Sequence, residues 1–195
     1  MNARVLPKMR MNVDEFLAWS ARQPETDRYE LVDGEIAAMS PERAWHNLVK
    51  LEVAVALRDA VKAANLSCTV FTDGLGVAID DTTVREPDAS VQVGGDVDLQ
   101  SKLINAPIIV VEVVSPTSEH NDLAVKLLDY FKVDSVQHYL IVLAEQRAVL
   151  HHRRNDRGTI DTRIVQAGDV VLDPPGITVA VTALLGPAAS ATKEP

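Results

Sequence analysis

Residues 107–126, PIIVVEVVSPTSEHNDLAVK, set one carboxylate inside a nearly unbroken run of β-branched apolar residues. The reading IIVVEVV is apolar on both faces, the pattern of a strand covered on both sides. An ionised Glu112 in such a strand is costly unless a metal or a cation compensates it. Downstream, Leu123, Leu127, Tyr130 and Phe131 recur on one side of a helix expected over about 118–132. Residues 137–144 then form another apolar strand. Strand, helix and strand make a βαβ unit, so the strands of Glu112 and Tyr139 are expected to run parallel as neighbours or nearly so. The fold class is therefore α/β.

Upstream of this unit, residues 87–93 (PDASVQV) alternate, with Ala89, Val91 and Val93 on one face and Asp88, Ser90 and Gln92 on the other. Asp33-Gly34 divides an alternating segment over 29–39, a strong hairpin signal. A second hairpin is expected around Asp73-Gly74, joining 67–71 to 75–79, followed by a turn at 80–82. Ser40 and Pro41 read as N-cap and first position of the longest helix, whose apolar residues from Trp45 to Val61 keep helical spacing. Asn12 caps a short first helix with Glu15 three positions on. Residues 94–106 read as a polar surface loop, 147–171 as antiparallel strands around Asn155-Asp-Arg-Gly158, and 172–185 as a return to the core. The expected organisation is a flexible segment over 1–10, a single domain over 11–185 and a disordered tail over 186–195.

The 195 residues, 47% hydrophobic and 24% charged, suit one globular domain. A formal net charge of -9 argues against a generally basic nucleic-acid binder, so any phosphate contact would rest on local basic patches. With Cys68 as the single cysteine there is no internal disulfide and no cysteine-rich zinc site. No apolar run approaches the roughly 18 residues of a membrane span, so the expected location is the cytoplasm.

Strand periodicity puts Ile108, Val110, Glu112 and Val114 on one face, and Asp88 can present a second carboxylate from the preceding strand. Two carboxylates from neighbouring strands make a hard, oxygen-rich site suited to Mg²⁺, which keeps several waters and takes one or two protein carboxylates. Lys126, one helical turn after Asp122, reaches the same locus if its helix packs over the strand end. The three together suit metal-assisted phosphodiester hydrolysis. Each residue also has a plainer reading: a buried Glu112–Lys126 ion pair without metal, Asp88 as a strand-entry residue, Lys126 as a solvated helix residue.

The elements Tyr29-Glu-Leu-Val-Asp-Gly-Glu35, Met39-Ser-Pro41 with His46, Pro87-Asp88, Val111-Glu-Val-Val-Ser-Pro116, and Asp122 with Lys126 and Tyr130 resemble the Uma family of restriction endonucleases, in the PD-(D/E)xK nuclease superfamily. The resemblance runs over about 13–185 and rests on the order and spacing of these fragments. It implies a restriction-endonuclease-like core, with a mixed central sheet flanked by helices and additional antiparallel hairpins. It further implies a DNA substrate, dependence on Mg²⁺ with Mn²⁺ as a substitute, and Asp88, Glu112 and the Val113 backbone carbonyl as ligands. The superfamily's usual lysine lies two residues after the acid, where this chain has Val114. Lys126 is then its replacement, displaced to the next helix.

Other candidates stand around this set. Glu35, favoured because it follows the turn, or Glu30 supplies a third acid, or both are solvated hairpin residues. His46 meets the cleft rim or packs at the helix start, and Asp122 lies near Lys126. His151-His152-Arg153-Arg154 with Arg157 is the concentrated basic patch, read either as phosphate contacts from Arg153, Arg154 and Arg157 or as a solvated hairpin face. A hydrolase triad of Ser115, His120 and Asp122 is set aside, because the residues crowd one turn and lack a nucleophile elbow. The expected functions are an endonuclease, a catalytically silent nuclease-fold module that binds DNA or a protein, or a nuclease acting on RNA or branched nucleic acid. A homodimer is expected of an enzyme that cuts both strands.

Overall fold

The computed structural model describes residues 10–24, 26–94, 96–114 and 120–188, and the side chains of residues 120–122 lie outside the described set. The expected flexible segment, Arg10 apart, and the expected tail beyond 188 also lie outside it.

The run that opens the βαβ unit forms strand β7 (Pro107–Val113), followed by helix α3 (His120–Tyr130) and strand β8 (His138–Leu143). Strands β7 and β8 pair in parallel, Glu112 opposite Ile141. Around them a six-stranded sheet has the order β10-β9-β8-β7-β6-β3, built with β3 (Cys68–Thr72), β6 (Ala89–Val93), β9 (Ala148–Arg154) and β10 (Ile160–Val165). Every other pairing in it is antiparallel. The sheet is therefore mixed, as the family resemblance implied, with the parallel pair expected of the βαβ unit at its centre.

Both faces of β7 are covered. Ile109, Val111 and Val113 join one core cluster with Val49, Val53, Leu57 and Val61 of helix α2 (Ala44–Ala63). Val110 joins a second cluster with Tyr130, Tyr139 and Ile141 on the face covered by α3. Burying each of those large side chains contributes about 1.5–3 kcal/mol. Glu112 shares the Val110 face and is 7% exposed.

A four-stranded sheet of order β2-β1-β5-β4 holds β1 (Tyr29–Val32), β2 (Glu35–Ala38), β4 (Val77–Asp80) and β5 (Thr83–Arg85). Its β1–β2 turn has Asp33 at φ 50° and Gly34 at φ 82°, the positive pair that a two-residue hairpin of matching twist demands. Helix α1 (Val13–Ser20) carries the expected capping box, Asn12 Oδ1 accepting from the Glu15 N–H and Glu15 from the Asn12 N–H. Strands β11 (Asp169–Leu172) and β12 (Ile177–Ala180) form a separate hairpin and lead into helix α4 (Val181–Leu184), with Leu172, Ile177, Leu184 and Leu185 in the core.

Several local expectations are corrected. Helix α2 begins at Ala44 rather than at Pro41: Arg43 is an N-cap with extended backbone and no side-chain bond, and Glu42 ahead of it accepts from Lys50. Asp73-Gly74 does not close a hairpin: β3 pairs with β6 and β4 with β5, in different sheets. At that corner the Asp73 carboxylate meets Lys50 and Arg28, and the Gly74 N–H donates to Glu86, so the turn redirects the chain. The 94–106 segment is not wholly surface loop, since Leu103 bridges to Gly76 and Ile104 is buried. Gly186, expected in a frayed tail, packs against Val49, and Pro187 accepts a hydrogen bond from Trp45 Nε1.

Candidate metal and nuclease site

At one end of β6 and β7 lies a cleft of about 1120 Å³. The β1–β2 hairpin, the start of α2 and helix α3 wall it, and Asp88, Glu112, Val113 and Lys126 all line it. Asp88 is carried there by the antiparallel pairing of β6 and β7, its N–H donating to the Val111 carbonyl at 3.0 Å.

Asp88 is held from three sides. Oδ2 accepts from the Val113 N–H at 2.7 Å, Lys50 Nζ lies 2.9 Å from Oδ1, and His46 Nε2 lies 3.5 Å from Oδ2. Burial opposes its ionisation, yet His46, Lys50 and the Val113 N–H hold its carboxyl below the usual carboxylate range. Because the N–H and carbonyl of one strand residue share an edge, the Val113 carbonyl belongs to the Asp88 side of β7. His46 makes a charge contact rather than a formed hydrogen bond at 3.5 Å; Asp88 nonetheless raises its pKa.

Glu112 is gripped by α3. Its Oε1 accepts from Tyr130 Oη at 2.7 Å and from Lys126 Nζ at 3.1 Å. Burial pushes Glu112 up to about 7; the Asp88 and Glu30 carboxylates add to the rise, while Lys126 and Tyr130 oppose it. Lys126 also lies 3.4 Å from Glu30. Of the two hairpin glutamates, Glu30 is the buried one, with its Oε1 accepting from the Glu86 N–H and Arg85 lying 3.1 Å from its Oε2. Glu35, favoured by its place after the turn, is exposed on the cleft rim. The hairpin register puts both glutamates on one face, and their place in the sheet separates them: Glu30 lies on the inner strand β1, whereas Glu35 opens the edge strand β2.

The basic patch resolves differently. Arg154 donates to the carbonyls of Val136, Phe131 and Val133 and stacks over the Phe131 ring, so its guanidinium serves packing. His151 and His152 are buried, Arg153 and Arg157 are exposed, and none of these residues lines the cleft. Ser115 and the side chains of His120 and Asp122 lie outside the described residues.

Lys50 and Arg85 enter the network without having been singled out from the sequence. Lys50 Nζ makes contacts of 2.6 Å to Glu42, 2.6 Å to Asp73 and 2.9 Å to Asp88, and the residue is 3% exposed. Arg85 joins Glu30 to Asp129. A signal for Lys50 was present: it lies in register with Val53, Ala54, Leu57 and Val61, the buried stripe of α2. A lysine on such a stripe requires buried acids around it.

Among the described residues, no group of three or more His, Cys, Asp or Glu side chains is arranged to hold a metal. The hard oxygens of Asp88 and Glu112 still fit Mg²⁺, which needs only one or two carboxylates. Burial is the main cause of the rise in the Glu112 pKa, and the Asp88 carboxylate adds to it.

The architecture is a mixed α/β fold that matches a nuclease-like neighbour. A crystal structure described as a "putative nuclease belonging to DUF820" from Anabaena variabilis superposes with a TM-score of 0.71 at 18% identity, covering 90% of this chain and 97% of that one. The chain belongs to the family Uma2, "Putative restriction endonuclease", whose model matches residues 13–185. The uncharacterized protein slr1290 of Synechocystis sp. is 27% identical over 153 residues, 78% of each chain.

Proposed function

We propose that this protein is a Mg²⁺-dependent DNA endonuclease. The observation that carries this reading is that Asp88, immediately before β6, and Glu112 on the adjacent strand β7 line one cleft with Lys126 at 3.1 Å from Glu112. Asp88, Glu112 and the Val113 carbonyl would hold Mg²⁺, with Mn²⁺ as a substitute. The ion supplies Lewis-acid polarisation of a phosphodiester and a water of lowered pKa.

The chain's own residues set the geometry. Tyr130 and Lys126 fix the Glu112 carboxylate, and the Val113 N–H with Lys50 fixes that of Asp88. Lys126, positioned between Glu112 and Glu30, orients the attacking water and offsets charge developing on the phosphate. The β1–β2 hairpin and α2 confine the substrate between cleft walls. The protein acts as a two-fold dimer when both strands are cut.

A second reading, a module of this fold that binds DNA or a protein without cutting, is favoured by Val114 in the usual lysine position and by the net charge of -9. The test is Mg²⁺- and Mn²⁺-dependent cleavage of duplex DNA, single-stranded DNA and RNA. Wild type is expected to cut DNA, Asp88→Ala to fall to background and Lys126→Ala to lose about 10²–10³ in kcat. Activity that survives Asp88→Ala removes the metal assignment. Metal binding without cleavage of any substrate selects the binding module, and preferential cutting of RNA reassigns the substrate.

A further inference from the structure

Lys50 is engaged by three carboxylates, one of them Asp88, and neither the family match nor the superfamily's usual pattern gives it a role. It projects from the buried stripe of α2, and three carboxylate oxygens converge on its ammonium: Glu42 Oε1 and Asp73 Oδ2 at 2.6 Å and Asp88 Oδ1 at 2.9 Å. An ammonium has three protons. Two of them are used in hydrogen bonds to Glu42 and Asp73, and the ammonium is ion-paired with Asp88 Oδ1, so Lys50 is engaged by carboxylates on three sides. It therefore acts through Asp88.

The partners show how that action is anchored. Glu42 belongs to the segment entering α2, and Asp73 sits where β3 leaves the six-stranded sheet. Both are also tied to Arg28 just before β1, Asp73 at 2.7 Å and Glu42 at 3.6 Å, and Arg28 is paired with Glu86 as well. Lys50 thus fastens the Asp88 carboxylate to fixed points on α2, β3 and the hairpin wall. The Val113 N–H holds the other oxygen. A carboxylate clamped at both oxygens cannot rotate about its terminal torsion, which would otherwise be a broad rotor.

We propose that Lys50 is a positioning residue for the metal site: its ammonium, braced by Glu42 and Asp73, holds Asp88 Oδ1 in the orientation that receives the divalent ion. The proposal rests on the reading of Asp88 and Glu112 as the metal ligands. It assigns Lys126 to the reacting water and phosphate and Lys50 to the ligand.

The experiment measures Mn²⁺ affinity by calorimetry on the full chain, alongside cleavage kinetics, for wild type, Asp88→Asn and Lys50→Met. Loss of Mn²⁺ binding in Asp88→Asn shows that the metal reading stands; Mn²⁺ binding unaffected by Asp88→Asn overturns that reading and this inference with it. Given Asp88-dependent binding, folded Lys50→Met is expected to bind Mn²⁺ about 10–100-fold more weakly, the usual effect of losing a group that orients a ligand. Its kcat is expected to fall in step, while KM for nucleic acid moves by less than about threefold. Wild-type Mn²⁺ affinity in Lys50→Met overturns the proposal. Because Lys50→Met leaves three carboxylates together, Lys50→Met/Glu42→Gln/Asp73→Asn removes that repulsion, and the same affinity criterion applies to it. Failure of the triple variant to fold also overturns the proposal, assigning Lys50 to fold stability alone.

Discussion

Glu112 faces opposite demands with and without a metal. In the metal-free protein its pKa of about 7 lies above the ordinary 4.5, so the folded chain holds an extra proton between those values. The associated stabilisation is complete below pH 4.5 and is lost as the pH rises through 7. Chemical denaturation of metal-free Glu112→Gln, followed from pH 4.5 to 8, is expected to lack that component of decline. A parallel decline in wild type and variant would contradict the assignment. Glu112 could be singled out from the sequence because a carboxylate inside a run of β-branched residues is anomalous, and Asp88 because it heads an alternating strand. Lys50 and Arg85 were harder to find, since their meaning depends on distant partners: Asp73 lies 23 residues from Lys50 and Glu30 lies 55 from Arg85. Arg154 was misleading for the converse reason: its sequence neighbours are basic, but its contacts are backbone carbonyls of Phe131, Val133 and Val136.

Elements with a strong internal period could be placed from sequence: β7, α3 and β8 by their apolar runs, α2 by its stripe, β1 and β2 by Asp33-Gly34. Those decided by long-range pairing could not, and β3 is the clearest case. Its turn residues specify that the chain bends and leave open whether the next strand returns to β3 or joins β5. A second buried pair ties elements together across the sheet. His138 Nε2–H donates to the Pro174 carbonyl at 2.8 Å, leaving Nδ1 to accept from His151 Nε2–H at 2.9 Å. Burial drives both imidazoles down to about 4, and they pack neutral between β8, β9 and the β11–β12 connection. Their contribution is complete above the ordinary 6.5 and is lost as the pH falls through 4, opposite in sign to that of Glu112. His151→Asn is expected to be destabilised at pH 7 and to show a shallower acid limb in urea unfolding. An unchanged acid limb would contradict the neutral pair.

The whole molecule is acidic, with a net charge of -9. In the cleft, Arg85 and Lys126 are engaged by carboxylates, and Arg10 and Arg43 are the exposed cations among the described lining residues. Two phosphate contacts predict a shallow salt dependence, with a log–log slope of about -2 for duplex DNA. Arg10→Ala and Arg43→Ala are each expected to reduce that slope by about 1, measured by fluorescence anisotropy. A steep wild-type slope insensitive to both would place the DNA on another surface. Among the described residues no helix is long and apolar enough to cross a membrane. The central claim remains that two neighbouring strands offer one divalent ion a pair of carboxylates. Anomalous diffraction from Mn²⁺-soaked crystals tests it most directly. The account predicts one strong peak between the Asp88 and Glu112 carboxylates that disappears in Asp88→Asn crystals. Mn²⁺ found only on surface acids, with Asp88 still clamped by Lys50 and Glu112 by Lys126, would contradict it.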